Sequence, residues 1–154
     1  SSMLEADGET TLSDEVLQGW VEKQGRKVRN WKKRYMQIME NTLRYSKSEA
    51  LFEKGKFCGS LSLSEAHVVR LQSPRGFAVI VERRALLLRF ATEAVADRWF
   101  KKLELTTDAH PPRSLRGWLL KRGLKFGSWK KRHFTLEGDL LLYYPDDSEN
   151  SWPL

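Results

Sequence analysis

Between residues 16 and 90, apolar and polar positions mostly alternate, which is the mark of strands that bury one face. Residues 16–23 read as a first strand and 24–30 as a polar turn containing Gly25. Residues 31–39 form the next run, and Glu40-Asn41 makes a tight turn into 42–46. Further strand-like runs follow at 56–63, 67–71, 77–81 and 85–90, with turns at 73–76 and 82–84. Seven short strands at this spacing predict an antiparallel sandwich or barrel. The period then changes. Thr92 suits a helix N-cap, with Glu93 favourable in the first turn. Ala96, Trp99, Phe100 and Leu103 recur at helical spacing on one apolar face, with Lys101 and Lys102 near the end, where cations favour the dipole.

After a stretch containing Pro111 and Pro112, the pattern begins again. Gly19-Trp20 matches Gly117-Trp118, Lys23 matches Lys121, Gly25 matches Gly123, Trp31 matches Trp129 and Arg34 matches Arg132, all at an offset of 98 positions. The period is domain-sized, so this is duplication of a domain and not a solenoid repeat. At that offset Leu154 corresponds to position 56, so the second unit is expected to hold three strands, the N-terminal half of the repeat. The expected organisation is a flexible acidic tail at 1–14, a complete unit at 15–107, a linker at 108–113 and a half unit at 114–154. Ser1-Ser2-Met3 suggests that the natural N-terminus lies elsewhere.

Composition narrows the class. Hydrophobic residues make up 40% of the 154, enough for a packed core. The single cysteine, Cys58, rules out an intrachain disulfide and fits a reducing compartment; it reads as a small buried residue. No run approaches the roughly 18 apolar residues of a membrane span, and no signal peptide is visible. The net charge of +7 is concentrated. Residues 21–34 carry Lys23, Arg26, Lys27, Arg29, Lys32, Lys33 and Arg34 against Glu22 alone, and 118–132 carry Lys121, Arg122, Lys125, Lys130, Lys131 and Arg132 with no acid. The first fifteen residues hold acids and no base. Two matched basic sites on a near-neutral body point to an anionic partner: lipid headgroups, nucleic acid or an acidic protein.

The order G-W-x-x-K-x-G, W-K-K-R and a late helix carrying Trp99 resembles the pleckstrin-homology (PH) domain family, completely over about 15–107 and partially over 114–154. The resemblance implies a mainly β fold: a seven-stranded antiparallel barrel or sandwich capped by a C-terminal α-helix whose Trp packs into the core, followed by an incomplete three-strand unit. It also implies a headgroup-binding pattern at Lys23, Lys32 and Arg34, repeated at Lys121, Lys130 and Arg132. Positions i and i+2 of a strand share a face, so Lys32 and Arg34 should project together, above Met36 and Ile38. Arg26, Lys27 and Arg29 would fold over them in the first turn, with Arg122 and Lys125 in the second. Tyr45 matches a family position that hydrogen-bonds a headgroup phosphate, although an ordinary cross-strand aromatic reads equally well; Tyr144 is taken as its counterpart. Strong binders of 3-phosphorylated headgroups resemble one another in an Arg before a fourth-strand Gly. Here Cys58 precedes Gly59, and Lys56 is the expected substitute.

Catalytic chemistry has no foothold. His67, His110 and His133 are scattered, and no C-x-x-C, H-E-x-x-H, Walker or G-x-S-x-G pattern occurs. No enzyme activity, cofactor or metal is expected. The leading expectation is a cytoplasmic, peripheral-membrane recruitment module, a signalling adaptor that binds phosphoinositides or other anionic lipids through its basic first loops. The alternative is a protein-interaction scaffold with weak or no specific lipid binding. Three arrangements stay open for the half unit: packing on the first barrel, completion by a protein partner or second chain, or continuation of the parent protein into the missing strands and helix. Nucleic acid is not an expected partner, because no aromatic stacking platform flanks the loops.

Overall fold

The computed structural model describes residues 16–107 and 113–154; the tail expected at 1–14, His110 and all but the last residue of the linker lie outside them. Seven strands come first: β1 (Leu17–Gln24), β2 (Trp31–Met39), β3 (Thr42–Ser46), β4 (Gly59–Ser62), β5 (His67–Arg70), β6 (Gly76–Val81) and β7 (Arg84–Arg89). They form one antiparallel sheet in the order β4-β3-β2-β1-β7-β6-β5. β1 meets β7 through only two residue pairs, Glu22 with Arg89 and Lys23 with Leu88. The sheet bends there, and both halves bury their inner faces in one core: Val21, Met36, Ile38 and Leu43 from one half, Phe77, Val79, Leu86 and Leu88 from the other. The period-two pattern is thus a pattern of insides and outsides of a bent barrel.

Helix α2 (Glu93–Thr106) closes one end of the barrel. Thr92 caps it, its Oγ1 accepting from the Val95 amide at 3.2 Å. Trp99 is buried against Phe90, which stacks on Phe77. The helix runs further than its lysines suggest, so neither Lys101 nor Lys102 lies in the last turn. Lys102 is only 1% exposed and is buried along the helix with Ala96, Trp99 and Leu103. Thr92→Ala removes the cap and is expected to cost about 1 kcal/mol, lowering Tm by roughly 2–5 °C in a thermal melt.

Two expectations are corrected between β3 and β4. A short helix, α1 (Glu49–Glu53), starts at Ser48, whose Oγ accepts from the Leu51 amide. The strand expected at 56–63 begins only at Gly59. Cys58 is consequently exposed at the rim and not buried.

The second unit is a three-stranded antiparallel sheet, β10-β9-β8, of β8 (Ser114–Arg122), β9 (Trp129–Glu137) and β10 (Leu140–Tyr144). Its β9–β10 turn has Gly138 at φ 62°, where the first unit holds Glu40 at φ 54°. One face packs on the outside of β5–β7: Leu142 and Tyr144 join Val69, Leu71, Ala78, Ile80 and Leu87 in a second core, with Leu140 and Trp152 partly buried beside them. The opposite face bears Leu115, Leu119, Phe134, Leu136 and Leu141 and lines an open groove. The apolar residues of this unit therefore divide between two faces instead of sharing one.

Candidate functional site

The first basic site is built by the β1–β2 hairpin. Antiparallel register sets Lys23 opposite Lys32 and Val21 opposite Arg34. On the same inward face, further in, lie Met36 and Ile38, both fully buried. The cations therefore ring the open mouth while the alternating apolar residues fill the interior. Lys23, Arg26, Lys27, Lys32 and Arg34, with Tyr45 and Cys58, line a cavity of about 300 Å³ that contains no carboxylate. Lys23 sits with its Nζ 5.5 Å from the Tyr45 ring centroid. Burial, followed by the positive charges of Arg84, Arg34, Arg26 and Lys32, holds its ammonium below the usual lysine range. Desolvation leads, and repulsion from neighbouring cations adds to it.

Two predicted members fall outside this mouth. Lys56 lies ahead of β4, is exposed and does not line the cavity, because the strand that was to aim it inward starts three residues later. Arg29 turns away and donates to the Leu154 carbonyl at 2.6 Å. Conversely, Arg84 was not visible as a site residue. It occupies an inward position on β7, in phase with Leu86 and Leu88, and its Nη2 donates to the Tyr45 hydroxyl at 3.2 Å. Its adjacency to the mouth exists only once the sheet has folded over.

The second site repeats the arrangement. Lys121 pairs with Lys130, and Leu119 with Arg132. Lys121, Lys125, Lys130 and Arg132 line a cavity of about 340 Å³, again without an acid. Two corrections apply. Tyr143, not Tyr144, is the counterpart of Tyr45: it pairs with Phe134 as Tyr45 pairs with Met36, and Lys121 Nζ lies 4.9 Å from its ring. Tyr144 is one residue out of phase, so it points to the other face, where it is 1% exposed and burial pushes its phenol up. Arg122 is likewise on the far face, its Nε donating to the Gly127 carbonyl. The loop above this mouth carries Leu124 and Phe126, 99% and 89% exposed.

The two units meet beside the first mouth. Trp152 packs edge-on against Trp31, with ring centroids 5.3 Å apart. Arg89 lies over both rings and donates through Nε and Nη2 to the Glu22 carboxylate. Gly76 is required here, since a Cβ would stand 2.5 Å from the Trp152 ring. Gln72 donates to the Asp146 and Ser148 carbonyls, and its Oε1 meets His133 Nδ1.

A bent, helix-plugged β-barrel with cations gathered at its mouth, followed by a three-stranded sheet that repeats its first three strands, defines a small binding module. The sequence pattern of the PH domain matches residues 15–108 and 113–153, and the chain belongs to that family. Among solved structures it is similar to the PH domain of human oxysterol-binding protein-related protein 11, with 21% identity, a TM-score of 0.54, and 60% of this chain and 79% of that one covered. It is also similar to the C-terminal PH domain of pleckstrin in complex with D-myo-Ins(1,2,3,5,6)P5, at 25% identity and TM-score 0.52, covering 58% and 92%. A third similar structure is the Slm1 PH domain in complex with inositol-4-phosphate, at 20% identity and TM-score 0.51, covering 60% and 96%. The uncharacterized protein CG43867 of Drosophila melanogaster is 26% identical over 145 residues; these span 86% of this chain but 8% of that protein. Among the described residues, no helix is long and apolar enough to cross a membrane.

Proposed function

We propose that this chain recruits its parent protein to membranes by binding phosphoinositide headgroups at the first mouth, with the second mouth adding a further contact to anionic lipid. The observation that carries this reading is the acid-free cluster of Lys23, Arg26, Lys27, Lys32 and Arg34 around one cavity. Phosphate groups suit such a site, because ammonium and guanidinium donors from adjacent strands converge on one volume. The pleckstrin and Slm1 domains, solved with inositol phosphates, support the same ligand class. The exposed Leu124 and Phe126, flanked by Arg122 and Lys125, favour a lipid surface over a free anion: apolar tips among cations suit the headgroup–acyl boundary. On this reading the protein works as a peripheral adaptor on a cytoplasmic leaflet.

Sedimentation with phosphatidylcholine vesicles carrying single phosphoinositides, against phosphatidylserine vesicles of equal charge, tests it. Preferential pelleting with one phosphoinositide is the expected result. Equal pelleting with phosphatidylserine would reduce the site to charge alone, and no pelleting would overturn the proposal. The double substitution Leu124→Ser and Phe126→Ser, which adds no charge beside the second mouth, is expected to weaken vesicle binding about tenfold, through lost apolar burial. Affinity for a soluble inositol phosphate, read by calorimetry, should stay the same.

A second reading, a protein-docking PH scaffold, is favoured by Cys58, which stands where strong binders resemble one another in an arginine. The open face of Leu115, Leu119, Phe134, Leu136 and Leu141 favours it too. Retention of a protein partner by a variant that no longer binds vesicles would select it.

A further inference from the structure

At the floor of the first mouth, Tyr45 is only 5% exposed. Its phenol presses against the start of β4, where a Cβ on Gly59 would stand 2.5 Å from the hydroxyl. Gly59 thus makes room for the ring at the place where Cys58 leaves the rim without a cation. A guanidinium reaches that place from the opposite half of the barrel. Arg84 Nη2 donates to Tyr45 Oη at 3.2 Å, and a guanidinium has no lone pair with which to accept in return. The phenolic proton must then point elsewhere, and among the described residues Tyr45 has no protein acceptor for it. It is left to be donated into the mouth. Arg84 Nε is buried with no hydrogen-bond partner, and among the described residues no carboxylate forms a salt bridge with Arg84. A buried donor without an acceptor is destabilising, and a nearby anion would relieve it electrostatically.

We propose that Arg84 is a positioning residue for headgroup recognition: from β7 it holds the Tyr45 hydroxyl oriented as a donor to a phosphate, and it acts on the ligand through that hydroxyl. The proposal rests on the headgroup reading of the first mouth. In this arrangement Arg84 acts through Tyr45, so losing either residue forfeits the same oriented O–H donor. The two losses should therefore not add.

A double-mutant cycle on the full chain separates the outcomes, with inositol hexakisphosphate as the probe in calorimetry and Tm measured for every variant. Arg84→Met and Tyr45→Phe are each expected to weaken binding about tenfold, the scale of one charge-assisted hydrogen bond. The double variant should be no weaker than either alone. Arg84→Lys, which keeps a donor and the charge, should recover most of the loss; this variant also decides the matter should Arg84→Met fail to fold. Arg34→Ala, measured alongside, reports on the headgroup reading itself. Normal affinity in Arg84→Met while Arg34→Ala loses binding would overturn the role of Arg84 alone. Additive losses of about a hundredfold would show that Arg84 acts independently of Tyr45 and overturn the proposal as well. Absence of wild-type binding would remove both the proposal and the reading beneath it.

Discussion

Replacing Arg34 by alanine should weaken headgroup binding about ten- to hundredfold, whereas Arg83→Ala should change it by less than about twofold. Both substitutions remove one positive charge, so the difference isolates geometry from net charge. Arg34 lines the cavity with Lys23 and Lys32, and its guanidinium is not committed to a carboxylate among the described residues. It can offer a charge-assisted fork, each such bond being worth about 1.5–3 kcal/mol. Arg83 lies in the exposed β6–β7 turn and does not line that cavity. Its contribution is screened over the Debye length of about 8 Å at physiological salt. Titration with a soluble inositol phosphate is the measurement. Equal losses at both positions would mean that diffuse attraction, and not a site, holds the ligand.

Expressed alone, residues 114–154 should show no cooperative thermal transition and little amide dispersion in an NMR spectrum. The prediction follows from which faces are covered. Leu142 and Tyr144 are buried only because β5–β7 lie beneath them, and the opposite face is open even with that support. Removing the first barrel would leave a three-stranded sheet with apolar residues exposed on both sides. A core that small rarely outweighs chain entropy below about 70 residues without a metal, disulfide or partner. Adding residues 16–107 in trans should restore dispersion if the packing in the second core suffices. A cooperative melt of the isolated fragment as a monomer would refute the prediction.

Much of this architecture was legible because it rests on local periodicity. The alternation from Leu17 to Ile38 dictated which side chains face inward, and so brought Lys23, Lys32 and Arg34 together with Met36 beneath them. The spacing of Ala96, Trp99 and Leu103 likewise identified the helix that plugs the barrel. Failures came where a one-residue shift or a distant strand decides the outcome. Tyr144 is adjacent to the correct residue, but a period of two makes adjacent residues opposite in direction. Lys56 was placed by extending a strand across a segment whose amides are used otherwise, the Lys56 amide donating to the Leu51 carbonyl of α1. Arg84 reads as part of a charged turn because the contact that matters is with Tyr45, 39 positions earlier and on the other half of the sheet. Trp152, in a polar stretch with no strand pattern, gave no sign that it would dock on Trp31 and Gly76.

The carbonyl that receives Arg29 belongs to Leu154, and Leu154 also lines the second mouth. The loop over one basic cavity is therefore fastened to the wall of the other. On the proposed reading, two sites lie on one chain, and engaging the first converts the second into an intramolecular event at a raised effective concentration. Occupancy of a membrane would then rise with roughly the square of the anionic lipid's mole fraction. The pair would behave less as a reader of one headgroup than as a threshold detector of how densely headgroups are packed.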